Sequence, residues 1–426
     1  MKKLLSVLLA SAITVTALGG LVACKKEDNS KKITVWAPAE SHAAYKPLIE
    51  GFKEKYPDYK DYEIEFIAKG EGDVQGSMGS DPKAGAEVFF FASDHFGNMR
   101  VNNYLQPLTD DYAAAVKERD DQDCYEFVTD AEKIYAFPAT NDNGYFLWYN
   151  SDFFTEDDVK SLDVMQAKAK GEGKHIMFDY GNSWYSPAFH IGMGCYFGYS
   201  DVEMKHYKAD LQTPAAIAAT KAMVNYASEE KNGPAGDDQV IVTGNLAAGL
   251  ADGTYVAGIS GTWETANIKT ECTKAGEDPA KFKATALPKF KATIEGEQEQ
   301  EYQMGSFVGG KYCGVNRAKS AEKIKVSLAL ADWLTNEAAQ TARFNAQGAG
   351  PSNKKVAALD VVKNNVGIKG YYAQLATDKN IIQGAQSDTF WGDSGIKQLT
   401  KDIFNQAKNE AQVLDALKTL SDSLNT

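Results

Sequence analysis

The sequence predicts an α/β protein with two domains, and three observations support this prediction. Strand-like and helix-like segments alternate from Ile33 onward, as in sheets whose strands are joined by crossover helices. The chain has 426 residues, which is more than a single hydrophobic core usually organises. Its composition, 43% hydrophobic and 24% charged, is that of an ordinary globular protein.

The first 23 residues have the features of a secretory signal peptide rather than of a folded segment. Two lysines precede an apolar stretch, which ends in small residues before Cys24, and the chain then becomes abruptly polar. The final LVAC resembles the lipobox of bacterial lipoproteins, which implies cleavage before Cys24 and lipidation of its thiol. We therefore expect a lipoprotein signal peptide over 1–23, a lipidated tether over 24–32, and a mature protein anchored to the outer face of the cell membrane.

Hydrophobic periodicity assigns the elements of the fold in chain order. Strands are predicted over 33–36, 62–68, 88–92, 134–138, 145–149, 175–178 and 255–260, and an extended segment over 307–315. One helix begins near Tyr45 and stops at Pro57, and a longer one is framed by Thr213-Pro214 and by 232–234. A polar stretch covers 269–283, and from Ala321 onward the chain is mainly helical.

Charge and cysteine usage narrow the class of ligand. The formal net charge of −13 argues against a basic face for nucleic acid or an anionic membrane and suits an uncharged ligand. Cys124, Cys195, Cys272 and Cys313 lack the short spacings of a metal or redox site. An exported location permits disulfides, but isolated buried thiols explain these cysteines equally well.

Several segments resemble, in the same order, the sequence patterns of the extracellular solute-binding proteins for maltose and maltodextrin. The segment 84–97 has the family's apolar strand followed by an aspartate and a glycine loop, and 103–109 extends the match. The remaining matches are at 134–138 with 147–150, 259–264, 287–288, 306–310 and 390–391. The resemblance covers essentially the whole mature chain.

This resemblance implies an α/β, two-lobe periplasmic-binding-protein-like fold of class II, with a hinge and an interlobe ligand cleft. Lobe 1 is expected to comprise residues 33–140 plus 309–358, and lobe 2 residues 141–308 plus 359–426. A monomer of this kind would capture an oligosaccharide, with maltodextrin preferred, by lobe closure and deliver it to the permease subunits of an ABC transporter. No cofactor, metal ion or catalytic residue is expected.

The same resemblance implies a set of ligand-binding residues: Glu40, Phe91, Asp94, His95, Asp142, Asn143, Trp184, Tyr185, Trp263 and Trp391. Carboxylates would accept hydrogen bonds from sugar hydroxyls, and the tryptophans would stack on the C–H faces of sugar rings. Asp94 could instead cap the following helix, Glu40 could be a solvated loop acid, and the tryptophans could belong to a core. His95 replaces the family's arginine, and the sequence does not choose between Asp142 and Asn143 as the acid of the crossing.

Two other interpretations remain open at this stage. The same fold could bind another oligosaccharide or a small polar solute such as a polyamine or an organic acid. An anchored glycoside hydrolase would also combine carboxylates with aromatic residues, but it requires two carboxylates about 5 to 10 Å apart. The matched segments surround a binding cleft and contain no catalytic pair, which favours a binding protein.

Overall fold

A computed structural model describes residues 30–200, 206–229, 246–382, 388–391 and 410–425. Within these residues the strands are β1 (Lys32–Ala37), β2 (Glu63–Ala68), β3 (Val88–Ala92), β4 (Thr129–Asp130), β5 (Lys133–Ile134), β6 (Phe137–Thr140), β7 (Phe146–Asn150), β8 (His175–Met177), β9 (Phe197–Tyr199), β10 (Tyr207–Ala209), β11 (Tyr255–Ser260), β12 (Phe282–Thr285), β13 (Lys289–Ala292), β14 (Gln300–Gln303), β15 (Ser306–Val308), β16 (Lys311–Val315) and β17 (Asn380–Ile382).

The α-helices of the described residues follow the same chain order. They are α1 (His42–Tyr45), α2 (Ile49–Lys55), α3 (Val74–Ser80), α4 (Phe96–Val101), α5 (Asp110–Arg119), α6 (Gln122–Phe127), α7 (Leu162–Gly171), α8 (Ala188–Gly192), α9 (Pro214–Glu229), α10 (Leu246–Asp252), α11 (Glu264–Ala275), α12 (Ala321–Trp333), α13 (Glu337–Gln347), α14 (Lys354–Ala357), α15 (Asp360–Lys363), α16 (Val366–Leu375), α17 (Asp388–Trp391) and α18 (Glu410–Leu424).

Sheet 1 has five strands in the order β2-β1-β3-β16-β6. Strand β1 pairs in parallel with β2 and β3, whereas β16 is antiparallel to both β3 and β6. The continuous apolar run of β3 is buried from Val88 to Phe91, as expected for a strand covered on both faces. The carboxyl ends of β1, β2, β3 and β6 therefore meet at one edge of the sheet, where the chain enters its loops.

Sheet 2 has four strands in the order β12-β7-β11-β8. Strand β7 is antiparallel to β11 and β12, and β11 is parallel to β8. Side chains alternate along β7: Leu147 and Tyr149 belong to one apolar cluster, and Phe146 and Trp148 to another. Both faces of sheet 2 are thus covered by apolar side chains. The described residues from Lys31 onward form one compact unit.

The chain passes between the two sheets through short segments. Strand β6 of sheet 1 ends at Thr140 and β7 of sheet 2 begins at Phe146. Gly309 and Gly310 separate β16 of sheet 1 from β15, which pairs with β17 in a two-stranded sheet. The strands of sheet 1 lie in the ranges expected for lobe 1, except that β1 begins one residue earlier at Lys32, and those of sheet 2 lie in the ranges expected for lobe 2. The residue bounds of the two lobes remain a prediction.

Four predicted elements differ from the structure. The strand predicted over 134–138 is divided between β5, which pairs only with β4, and β6, which belongs to sheet 1. The extended segment 307–315 is two strands, β15 and β16, which belong to different sheets. The polar stretch 269–283 contains the end of α11 and the start of β12, because α11 buries only a narrow stripe that includes Ile268 and Cys272. The helix predicted from Tyr45 is interrupted by a 3-10 turn over Lys46–Leu48, which contains Pro47.

The four cysteines of the described chain are free and buried, so that the disulfide alternative is not realised among them. None of the helices in the described ranges is long and apolar enough to cross a membrane. The signal peptide, Cys24 and the helix end predicted over 232–234 lie outside the described residues.

Candidate functional site

A cavity of about 460 Å³ lies between loops that leave sheet 1 and loops that leave sheet 2. Its lining residues are Glu40, Glu71, Asp142, Thr262, Trp263, Ala266, Asn267, Lys311, Arg343, Ala346, Gln347 and Ala349. Glu40 follows β1, Glu71 follows β2, and Asp142 follows β6, all at the carboxyl edge of sheet 1. Thr262 and Trp263 follow β11 of sheet 2. A crevice beyond the carboxyl ends of strands is where open α/β sheets commonly bind ligands.

Three charged side chains from the first sheet's side form one network in the cavity wall. The carboxylate of Glu71 accepts from Arg343 Nη2 at 2.7 Å and from Lys311 Nζ at 3.0 Å. Burial alone would raise the pKa of Glu71, but Lys311 and Arg343 hold it below its ordinary value. The guanidinium also donates to Tyr45 Oη at 3.3 Å and to Gln347 Oε1 at 3.2 Å. Glu71 is therefore a fixed, ionised group.

Asp142 connects three parts of the chain beside the cavity. Its Oδ2 accepts a hydrogen bond from Thr262 Oγ1 at 2.6 Å and another from the backbone N–H of Gly350 at 2.5 Å. The side chain is 4% exposed, so these two donors replace most of its solvation. Asp142 thus fixes the start of the β6–β7 crossing against the loop after β11.

Trp263 supplies the aromatic surface of the cavity. A Cβ at Gly261 would lie 2.1 Å from an atom of the indole ring, which shows how closely the ring packs on that backbone. The carbonyl of Gly261 in turn accepts from Trp148 Nε1 at 3.1 Å. Because residue 261 has no side chain, the indole ring can lie directly against this backbone. Lys311 Nζ lies 6.0 Å from the centroid of the same ring.

Trp184, Tyr185 and Trp391 lie together in the apolar cluster that covers the Leu147 and Tyr149 face of sheet 2. The Trp184 ring stacks on Phe307 with centroids 5.4 Å apart and lies 6.1 Å from the ring of Trp391. Tyr185 is buried, and its ring centroid lies 5.2 Å from that of Tyr145. Trp184 and Trp391 are only partly buried. The structure thus brings these three predicted residues to one place.

The other predicted residues are distributed between a loop, a crossing and a core. Asp94 and His95 follow β3 at the carboxyl edge of sheet 1, with His95 Nε2 3.5 Å from Asp94 Oδ2. Asn143 is buried in the β6–β7 crossing, where its N–H donates to Gly309 O. Phe91 has no exposed surface and packs on Tyr312 with centroids 5.8 Å apart, so it belongs to the core of sheet 1.

Of the predicted residues within the described ranges, Glu40, Asp142 and Trp263 line the cavity. Sequence reasoning missed Glu71, Lys311 and Arg343, although each carried a signal. Glu71 is an acid between two glycines directly after a strand, and Lys311 begins a strand after a glycine pair. Arg343 is the arginine of an otherwise alanine-rich and amide-rich helix, where a buried charge requires a buried partner.

Comparisons with known proteins agree with this architecture. The sequence profile described as "Bacterial extracellular solute-binding protein" matches residues 48–370. A structure solved with acarbose is 27% identical, with a TM-score of 0.75 over 92% of this chain and 99% of that one. The maltodextrin binding protein MalE1 from L. casei BL23, solved without ligand, is 24% identical, with a TM-score of 0.72 over 93% and 99%.

A cyclo/maltodextrin-binding protein complexed with maltotetraose is 20% identical, with a TM-score of 0.68 over 94% of this chain and 98% of that chain. No curated protein sequence matches significantly. The structural matches span nearly the full length of both chains and confirm the predicted two-lobe α/β fold. The profile match covers most of the sequence, and the chain therefore belongs to the family of bacterial extracellular solute-binding proteins.

Proposed function

We propose that this protein captures an oligosaccharide of the maltodextrin type in the cavity and delivers it to the permease subunits of an ABC transporter. The observation that carries the proposal is the lining of that cavity. Carboxylates and a tryptophan from loops of both sheets meet there with the amides of Asn267 on α11 and Gln347 on α13. A neutral, hydroxyl-rich solute with apolar ring faces is the ligand that suits this combination.

The chemistry of a sugar ring matches these groups individually. Hydroxyls both donate and accept hydrogen bonds, so that Glu40 would accept from them and the ammonium of Lys311 would donate to them. The C–H face of a pyranose would lie on the Trp263 ring, which contributes about 0.5–1.5 kcal/mol beyond the area buried. Asp142 already accepts two protein hydrogen bonds on one oxygen and is proposed to reach the sugar only through its other oxygen.

The relatives support the same ligand class, because one was solved with acarbose and another with maltotetraose. We propose that longer glucans extend from Trp263 toward Asp94, His95 and the aromatic cluster of Trp184, Tyr185 and Trp391. Asn143 is proposed to shape the crossing, and Phe91 is assigned to the core. Because the cavity is lined from both sides, a bound sugar would favour the closed arrangement of the two lobes.

The mature protein is further proposed to be a monomer anchored to the outer face of the membrane through lipidated Cys24. Export itself follows from membership of an extracellular family. The protein extracted from washed membranes is expected to begin at Cys24 and to carry covalently bound fatty acid on it, as measured by mass spectrometry of the N-terminal peptide. An N-terminal peptide without fatty acid would overturn the anchor.

Calorimetric titration tests the ligand assignment. The protein would be titrated with maltotriose and longer α-glucans, and in parallel with β-linked and non-glucose oligosaccharides, a polyamine and an organic acid. We expect saturable binding of α-glucans that weakens at least tenfold in Trp263→Ala, whereas Trp36→Ala, which changes a tryptophan outside the cavity, keeps the affinity.

The other outcomes would overturn, respectively, the choice of maltodextrin, the choice of a sugar, and the choice of a binding protein over a hydrolase. Binding of a different oligosaccharide alone would retain the transport role and replace maltodextrin. Binding of the polyamine or organic acid alone would overturn the sugar assignment. Chromatography of the sugar recovered after the titration would reveal shortened products if the protein were a hydrolase.

A further inference from the structure

Lys311 lines the cavity, although the sequence patterns do not mark it as a ligand-binding residue. It is the first residue of β16, where backbone pairing with Ala92 of β3 and Thr140 of β6 fixes its Cα. Its side chain is 21% exposed, and its Nζ lies 3.0 Å from Glu71 Oε2. The ammonium therefore faces both the protein network and the space available to a ligand.

The network behind Lys311 holds the ammonium in place. Glu71 is 8% exposed and its other oxygen accepts from Arg343, which is itself buried and anchored by further hydrogen bonds. The network of Glu71, Lys311 and Arg343, one carboxylate between two cations, carries one net positive charge. Glu40 and Asp142 make the whole lining negative by one charge, so repulsion of a cation is confined to the position beside Lys311. A lysine tied to a buried, immobile acid loses little more side-chain entropy when it donates to a ligand.

The ammonium of Lys311 also lies near the indole ring of Trp263. The ammonium lies 6.0 Å from the ring centroid, within the range of a cation–π contact. A cationic ligand that stacked on Trp263 would have to compete with this lysine for the ring and would be repelled by its charge. A ligand with an oxygen acceptor at the same position would gain a charge-assisted hydrogen bond.

We propose that Lys311 is a specificity-determining residue of the cavity, which donates a hydrogen bond to a ligand oxygen beside Trp263 and excludes ligands that carry a cation there. This inference rests on the proposed function and deepens it: the accepted class is saccharides that are uncharged beside Trp263, and polyamines and saccharides that carry a protonated amine at that position are rejected. Glu71 and Arg343, which also line the cavity, hold the ammonium of Lys311 in place.

The test compares maltotriose with a set of maltotrioses in which one primary hydroxyl at a time is replaced by an amine, using calorimetry at neutral pH. The protein is expected to bind maltotriose at least tenfold more tightly than the analogue whose amine falls beside Trp263. In Lys311→Met, maltotriose affinity falls about tenfold and the discrimination against that analogue disappears. Lys311→Arg retains both the affinity and the discrimination.

Two further variants distinguish the effect of the charge on Lys311 from that of its hydrogen bond, and both from the effect of replacing any lysine. Lys311→Gln keeps a donor without a charge, so it is expected to bind maltotriose within about threefold of the parent and to lose the discrimination against the amine. Lys283→Met, which changes an exposed lysine of β12 outside the cavity, leaves both properties unchanged. Melting temperatures identify any variant whose affinity change reflects unfolding.

The outcomes distinguish this inference from the proposed function. If the parent protein binds maltotriose and both Lys311→Met and Lys311→Gln keep its affinity and its discrimination, the role of Lys311 is overturned and the proposed function stands. If the parent protein binds no oligosaccharide, the proposed function fails and the inference fails with it.

Discussion

The hydroxyl of Thr262 donates to the carboxylate of Asp142 at 2.6 Å, which joins the β6–β7 crossing to the loop that carries Trp263. The same oxygen accepts from the Gly350 N–H at 2.5 Å, in the segment that follows α13. The carboxylate is buried, and each of these bonds involves a charged acceptor. One side chain therefore holds together segments that are far apart in sequence.

Replacement of Thr262 by valine is expected to destabilise the protein by about 1–3 kcal/mol, because a buried carboxylate loses a donor while the volume at position 262 is nearly unchanged. Urea unfolding followed by circular dichroism measures this loss. Thr262→Ser keeps the hydroxyl and is the matched control, with a loss of less than about 1 kcal/mol. Equal losses in the two variants would mean that the methyl group, rather than the hydrogen bond, matters.

Replacement of Gly261 by alanine is expected to displace the indole of Trp263. The added Cβ would lie 2.1 Å from a ring atom, much closer than any van der Waals contact, so that the ring must move. We expect at least a tenfold loss of affinity for the α-glucan that the parent protein binds, together with a changed tryptophan emission spectrum. Gly171→Ala, where a Cβ meets nothing within 4 Å, is the control and should change neither property. An unaltered affinity in Gly261→Ala would show that the cavity does not depend on this ring position.

His190 is expected to make the stability fall below neutral pH. It is fully buried in α8, its Nε2 lies 2.9 Å from Thr220 Oγ1, and burial lowers its pKa to about 4. Because the unfolded chain takes up the proton near pH 6.5, the free energy of unfolding decreases as the pH falls from 6.5 to about 4, by about 3 kcal/mol at most. Below pH 4 this contribution no longer changes.

Urea unfolding across that pH range measures the effect in the parent protein and in two variants. His190→Met is expected to remove this part of the pH dependence, whereas His206→Gln, which changes an exposed histidine, retains it. A slope that is the same in parent and His190→Met would show that other groups cause the acid sensitivity.

The thiols of Cys124, Cys195, Cys272 and Cys313 are expected to react only after unfolding. All four are free and buried, and burial raises the pKa of the Cys195 thiol to about 12. In a Cys24→Ser variant, a thiol reagent should label no cysteine of the native protein and four after denaturation, with or without prior reduction. Fewer than four labelled thiols in the unreduced, denatured sample would indicate a disulfide.

The sequence predicts the strands of this fold better than its site. Strands β3 and β11 match the predicted residues because continuous apolar runs of five and six residues have the length of a buried strand and are too short for a buried helix. The break between β15 and β16 was missed because Gly309 and Gly310 interrupt an extended run without ending its hydrophobic pattern. Local pattern does not reveal that strands on either side of a glycine pair belong to different sheets.

The same reasoning explains which cavity residues were found. Trp263 was found because a tryptophan just after a buried strand forms part of a recognisable segment. Glu71 and Arg343 lie 272 positions apart, and only the folded chain shows that they form a 2.7 Å ion pair. Their role depends on long-range proximity, which neither composition nor periodicity contains.

Strand β16 also affects the order in which the protein can fold. It supplies the hydrogen-bonding partner of both β3 and β6, yet it lies about 220 residues after β3 in the chain, so sheet 1 is dominated by a very non-local pairing. During synthesis, sheet 1 lacks the strand that lies between β3 and β6 until Val315 has left the ribosome. We therefore expect sheet 1 to form slowly, because the strand that completes it must pair across a long stretch of chain.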